Sequence, residues 1–116
     1  PEGAAMLSGN PWAPHKIQGW TPDFVPSVLD RNVVDEIVTV SDDESIETAR
    51  AMAIEEGIFC GISAGGTFAA ALKVAAKAEA GSTILAMLPD TGERYLSTPL
   101  FEGVKEGGDD ELLEGL

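Results

Sequence analysis

Two glycine-bearing loops in this chain hold the residues whose types and spacing suit small-molecule chemistry. One is Gly61-Ile62-Ser63-Ala64-Gly65-Gly66 and the other is Leu88-Pro89-Asp90-Thr91-Gly92-Glu93-Arg94. In the first, the glycines let a planar ligand approach the backbone, and Ser63 offers a hydroxyl that donates or accepts at a helix start. A serine there serves equally well as an N-cap, and the loop alone leaves the two roles open. Other reactive residue types have plainer readings. Cys60 lies in an apolar run and reads as packing, because a reactive thiolate wants exposure and positive charge. His15, beside Lys16 in a proline-rich stretch, has weak grounds as a general base. Asp42, Asp43, Glu44 and Glu47 cluster where a helix begins, and carboxylates there complement the dipole rather than bind a metal. Arg94 is a candidate buried charge, expected to lock its loop by pairing with Glu93 or a backbone carbonyl.

The elements that must position these loops follow from local pattern. Residues 1–35 carry five prolines and three glycines, so the backbone there is expected to be irregular, and irregular stretches of that length usually shape a site or pack against something else. Glu36 to Val40 is strand-like. Ser41 with Glu44 three residues on forms a capping box, Ile46, Ala49 and Ala53 form an apolar stripe, and Gly57 stands where a left-handed cap belongs, which predicts a helix over 42–56. Ile58 to Ile62 reads as a short buried strand, an alanine-rich helix runs from about Gly65 to Lys77 with Phe68, Ala71, Leu72 and Ala75 inward and Lys73 and Lys77 outward, and Gly81 ends it. Thr83 to Leu88 reads as a third strand. Strand, helix, strand, helix, strand at this spacing predicts an α/β fold, a parallel sheet with flanking helices and right-handed crossovers. Ligands in such sheets bind beyond the carboxyl ends of the strands, where both loops lie. Three parallel strands leave both sheet edges open, so the segment is expected to belong to a larger chain or to pair with a second one.

Composition narrows the class. Twenty Asp and Glu against seven Lys and Arg give a net charge of −13 over 116 residues. The basic residues are scattered singly from Lys16 to Lys105, so no stripe exists for a nucleic-acid backbone. Apolar runs such as Ile84 to Leu88 fall far short of the roughly 18 residues a membrane helix needs. One cysteine makes no internal disulfide and seeds no zinc site, so no metal is expected and a reducing, cytoplasmic setting is the default. The acidic excess fits either solubility or adaptation to salt. The sequence begins without Met and shows no leader, and an upstream portion is left open. Residues 102–116, rich in Gly, Asp and Glu, are expected to form a flexible tail dispensable for the fold.

Three strings together resemble a known family. Pro14-His15-Lys16-Ile17-Gln18-Gly19, then Glu55-Glu56-Gly57-Ile58 running into Gly61-Ile62-Ser63-Ala64-Gly65, then Leu88-Pro89-Asp90-Thr91-Gly92-Glu93-Arg94-Tyr95-Leu96-Ser97-Thr98, resemble the C-terminal part of cysteine synthase, O-acetylserine sulfhydrylase. The resemblance runs over residues 1–101. It implies the C-terminal part of the type II (tryptophan synthase β-like) fold, two α/β domains with pyridoxal 5'-phosphate between them, and a β-replacement that turns O-acetylserine and sulfide into cysteine and acetate. By the same resemblance Ser63 would hydrogen-bond the pyridine nitrogen, Pro89 and Asp90 would line the ring, and Gly19 would lie in the loop on the substrate side. A hydroxyl partner keeps the pyridine nitrogen unprotonated, a weaker electron sink than a carboxylate partner gives, and this suits elimination across Cα and Cβ. The resemblance further implies a homodimer and serine acetyltransferase as a partner.

The chain also departs from the pattern. After Gly19 many family members continue Ile-Gly-x-Gly-Phe, whereas this sequence has Trp20-Thr21-Pro22-Asp23-Phe24. The Schiff-base lysine, the loop for the substrate carboxylate and the phosphate loop, which lie upstream in the family, are missing, and none of Lys16, Lys73, Lys77 or Lys105 has a context that substitutes. No catalytic residue is expected within the segment, which alone should be inactive. The alternative is a non-catalytic α/β module or a piece that docks on a partner. Sulfide and thiosulfate users share these motifs, so the sulfur donor stays open.

Overall fold

The structure is a computed structural model and describes residues 1–104; most of the acidic tail expected at 102–116 lies outside the described residues. Two α-helices form its centre. Helix α1 spans Asp42–Glu56 and α2 spans Ile62–Ala75. Around them the chain is irregular apart from short 3-10 turns at Glu2–Ala4, Met6–Ser8, Arg31–Val33, Glu93–Tyr95 and Pro99–Phe101.

Helix α1 matches its sequence signals at both ends. Ser41 Oγ accepts from the Glu44 N–H at 3.1 Å, and the Ser41 N–H donates to Glu44 Oε2 at 2.8 Å. At the other end Gly57 takes φ 67°, and the Met52 carbonyl receives the N–H groups of Gly57 and Ile58. Helix α2 departs from expectation. It begins three residues early, so the glycine pair lies inside the helix, and it ends at Ala75, two residues short of the expected Lys77. Close packing explains the early start. A Cβ on Gly65 would stand 2.7 Å from Ala49 Cβ and 2.8 Å from Ala49 N, with the Ser45 carbonyl nearer still. Without side chains at this crossing the two helix backbones approach directly, and Ser45, wholly buried, turns its Oγ back to the Ser41 carbonyl at 2.9 Å. Hence Gly65 serves helix packing, not ligand approach.

The expected strands do not form. Among the described residues the only ladder contact is an isolated antiparallel bridge between Cys60 and Thr91, and Ile62 is already helical. A strand exists only against a neighbour, and the runs 36–40 and 83–88 have none here. Their exposure shows what they lack. Leu85 and Met87 are 95% and 72% exposed, while Ala86 and Leu88 between and after them are half-buried, with Leu88 against the core, so the run alternates between partly covered and bare side chains. The inner face expected for α2 is also only partly covered: Ala69 is buried, Phe68 and Ala71 are half-buried, and Leu72 and Ala75 are exposed. A radius of gyration of 16.8 Å, against about 13 Å for a compact domain of this length, fits a segment with uncovered faces.

The core consists of Ile17, Val40, Ile46, Ala49, Met52, Cys60, Ile62, Ala64, Ala69, Tyr95 and Leu100, with Trp20, Phe68, Leu88 and Phe101 against it. Arg50 holds the C-terminal turn on α1, donating to the carbonyls of Leu100 at 2.5 Å, Pro99 at 2.6 Å and Glu102 at 3.4 Å. Lys73 is not a free solvent-facing lysine. Its Nζ reaches Glu44 at 2.8 Å and the Thr39 carbonyl at 2.9 Å, tying the end of α2 to the start of α1.

Candidate functional site

Both loops singled out from the sequence converge on the N-terminus of α2. The N-cap position there is Gly61, which has no side chain to cap the helix, and Ser63 is the second helical residue. Ser63 is therefore not an N-cap, and that reading of the loop is set aside. The residue is 6% exposed. Its carbonyl accepts from Thr67 Oγ1 at 3.0 Å, whereas no hydrogen bond among the described residues engages its own hydroxyl. A hydroxyl in the first turn of a 14-residue helix is thus left with donor and acceptor capacity at the positive end of the dipole.

The second loop closes on the same point. Gly92 N–H donates to the Phe59 carbonyl at 3.1 Å, and the Cys60–Thr91 bridge lies beside it. Asp90 Oδ2 accepts from the Tyr95 hydroxyl at 2.5 Å, while Asp90 Oδ1 is buried without a partner among the described residues. Gly61 makes this closure possible: a Cβ there would stand 2.6 Å from the Tyr95 ring and collide with Asp90 Oδ1. The hydrogen bond to Asp90, then burial and the Asp90 charge, push the Tyr95 hydroxyl up to about 12. Burial first, then Asp90, raises the Cys60 thiol as well. Cys60, 2% exposed with Met52 Sδ at 4.0 Å, is the packing residue it was expected to be. Pro89 is exposed at the rim of the loop.

The Gly19 loop, expected on the substrate side, meets α2 at Gly66 through Trp20. Gly19 is exposed with φ 88°, and Trp20 after it lies against Gly66, where a Cβ would be 2.9 Å from the indole. Arg94 does not lock anything. It is exposed, and Glu93 pairs with Thr91 instead, which lowers its carboxyl. Sequence reasoning missed Arg50 as the residue that pins the C-terminal turn and Tyr95 as the partner of Asp90. The second was within reach, since Asp90 and Tyr95 flank one short turn, but the first joins residues fifty apart. Asp42 accepts from the Lys16 N–H at 2.9 Å, and among the described residues no group of acidic, His or Cys side chains is arranged for a metal. A groove of about 490 Å³ lies at the far end of α2, between residues 36–39 and Lys73 to Ala78, remote from Ser63.

The start of α2 thus has the Ser63 hydroxyl in its first turn, the Asp90 loop closed on Gly61 before it, and the Trp20 indole against Gly66 after it. Residues 2–90 match the sequence family described as pyridoxal-phosphate dependent enzyme, and the chain belongs to that family. Its relatives include synthases. Over 116 residues it is 58% identical to an O-ureido-L-serine synthase of Streptomyces lavendulae, covering all of this chain and 36% of that one. It is 44% identical to a cysteine synthase of Staphylococcus aureus over 101 residues, 87% of this chain and 33% of the relative. The crystal structure of O-ureido-L-serine synthase superposes on 98% of this chain and 36% of its own with a TM-score of 0.88, and the cysteine synthase of Entamoeba histolytica on 99% and 34% with 0.86. The chain spans about a third of the length of these relatives, which accounts for the bare faces and unpaired runs of the fold.

The residues present fit pyridoxal phosphate on its pyridine-nitrogen side. Ser63 supplies an unengaged hydroxyl and Asp90 an unpartnered oxygen, while Lys73, held by Glu44 and Thr39, is turned away at the other end of α2.

Proposed function

We propose that the whole protein is a pyridoxal-phosphate dependent β-replacement enzyme acting on an O-activated serine such as O-acetylserine, and that this chain supplies the pyridine-nitrogen side of its cofactor site. The reading rests on one observation: Ser63, at the place the family resemblance assigns to the pyridine partner, is a buried residue whose hydroxyl makes no hydrogen bond among the described residues. When bound, the cofactor supplies an electron sink conjugated to the substrate Cα. Ser63 holds the ring nitrogen with a neutral hydrogen bond and keeps it unprotonated. Pro89 and Asp90 bound the ring, with Asp90 fixed by Tyr95. The Gly19 loop faces the substrate, the Cβ–O bond breaks, acetate leaves, and a bond from the nucleophile forms at Cβ. The lysine that binds the cofactor and the phosphate loop belong to the part of the protein outside this chain. A homodimer, a serine acetyltransferase partner and a cytoplasmic setting go with this proposal.

Sulfide as nucleophile gives cysteine. The higher identity to O-ureido-L-serine synthase, which extends over all 116 residues rather than 101, favours a second reading in which the nucleophile is the oxygen of a hydroxyurea. Product masses formed from O-acetylserine with sulfide or with hydroxyurea separate the two.

The test of the site is substitution of Ser63 in the full-length protein. Ser63→Ala removes one neutral hydrogen bond, worth about 0.5–1.5 kcal/mol, so cofactor affinity should fall by up to about tenfold with the fold intact. Ser63→Asp should instead favour a protonated ring nitrogen, slow elimination and change the visible spectrum of the cofactor. Spectra and turnover indistinguishable from the parent in both variants would remove Ser63 from the site.

A further inference from the structure

The turn that follows Gly19 is held by side chains from the segment before it. Thr21 has φ 42°, the one non-glycine residue with positive φ among those described, and for a β-branched side chain this conformation is strained. Its carbonyl is gripped twice. Trp12 Nε1 donates to it at 2.9 Å, and His15 Nε2 stands 3.2 Å away. The other ring nitrogen of His15, Nδ1, accepts from the Ile17 N–H at 3.2 Å, and Ile17 is wholly buried in the core. An Nδ1 that accepts leaves the proton on Nε2, so His15 is a neutral donor to Thr21 and has no lone pair free to act as a general base. The turn is closed by the Trp20 N–H, which donates to the Ile17 carbonyl at 3.2 Å.

We propose that His15 is a positioning residue for the substrate-side loop: together with Trp12 it holds the Thr21 carbonyl, and through that strained turn it keeps Trp20, next to Gly19, seated against Gly66 in the second turn of α2. The chain of contact runs from the buried Ile17 to His15, from His15 to the Thr21 carbonyl, and from that turn to the indole against Gly66, one helical turn beyond Ser63. Trp20 thereby forms a wall beside the face on which the amino-acid substrate would sit. The inference rests on the reading of the Gly19 loop as the substrate side.

Two variants of the full-length enzyme split the two hydrogen bonds of the ring. His15→Asn keeps an acceptor near the Nδ1 position and loses the donor to Thr21, whereas His15→Gln keeps a donor near Nε2 and loses the acceptor. With His15 acting through the Thr21 carbonyl, Asn raises the KM for the amino-acid substrate about three- to tenfold with a smaller change in kcat, and Gln restores most of the parent value. Acrylamide quenching read as the difference between each variant and its Trp20→Phe counterpart should rise in the Asn variant and stay near parent in the Gln variant. This measurement needs no bound cofactor. Equal KM values and quenching in parent and Asn variant would overturn the clamp and leave the cofactor reading, which stands on Ser63, untouched. Freer quenching with an unmoved KM would take the Gly19 loop off the substrate side and overturn the assignment of His15.

Discussion

Removing the Tyr95 hydroxyl tests how the two loops are held together at the start of α2. The phenol is 7% exposed and donates to Asp90 Oδ2 at 2.5 Å. Its pKa stands at about 12 against an ordinary 10.0, chiefly because the hydrogen bond to Asp90 favours the protonated form. That rise corresponds to about 3 kcal/mol, of the order of a hydrogen bond to a charged acceptor at about 1.5–3 kcal/mol. Tyr95→Phe keeps the ring against Gly61 but leaves both oxygens of Asp90 without a donor, so the expected loss of stability is about 2–3 kcal/mol at neutral pH. The sign with pH follows from linkage. A folded-state pKa raised above the unfolded one contributes in full below pH 10 and is lost as pH climbs toward 12. Urea unfolding of the full-length protein and of Tyr95→Phe should therefore differ by that amount near pH 7 and converge across the alkaline window. A near-ultraviolet difference titration of parent minus variant isolates this one phenol. A variant within about 0.5 kcal/mol of the parent, or a phenol that titrates at its ordinary value, would show that the Asp90–Tyr95 contact does not hold the loop.

Gly65→Ala should lower the thermal midpoint, since the new Cβ meets Ala49 and the Ser45 carbonyl; overpacking of about 1–3 kcal/mol outweighs the helix-propensity gain of about 1 kcal/mol. Ser41→Ala should cost about 1 kcal/mol through loss of the capping box, measurable as a shift in urea midpoint at unchanged slope. Cys60, its thiol held protonated by burial and by the Asp90 charge, should react slowly with iodoacetamide in the folded protein and at the rate of a free thiol in denaturant.

What was legible in the sequence was local. The ends of α1 could be read because Ser41, Glu44 and Gly57 act on backbone groups within a few residues of themselves. The start of α2 could not, since glycines at 65 and 66 signal a loop until the Ser45 carbonyl and the Trp20 indole are known to occupy the space a Cβ would take. The strands at 36–40, 58–62 and 83–88 were argued from apolar runs, which state where burial is wanted but not what provides it; in this third of the family's length the partner layer is absent, and Leu85 and Met87 stand bare. Trp20-Thr21 stood out as a departure from a glycine-rich pattern. Its consequence, a threonine in left-handed backbone held by two side chains, depended on contacts from Trp12 and His15 that no spacing rule supplies.

The site itself depends on what Gly61 lacks. Its φ of −81° is open to any residue, so the demand for glycine comes from space and not from conformation. With no Cβ there, Asp90 and Tyr95 close directly on the helix start, and with no polar side chain there, the N-cap position makes no claim on the first turn. Near this helix start two groups keep unspent capacity among the described residues: the Ser63 hydroxyl in the first turn, and Asp90 Oδ1, buried without a donor next to Gly61. An alanine at 61 would push the Asp90 loop outward and separate these two groups while the helix still formed. On the proposed function, the same single change that a helix tolerates would disturb the ring-nitrogen side of the cofactor site, which ties the glycine before Ile62 and Ser63, more than the pair at 65 and 66, to that proposal.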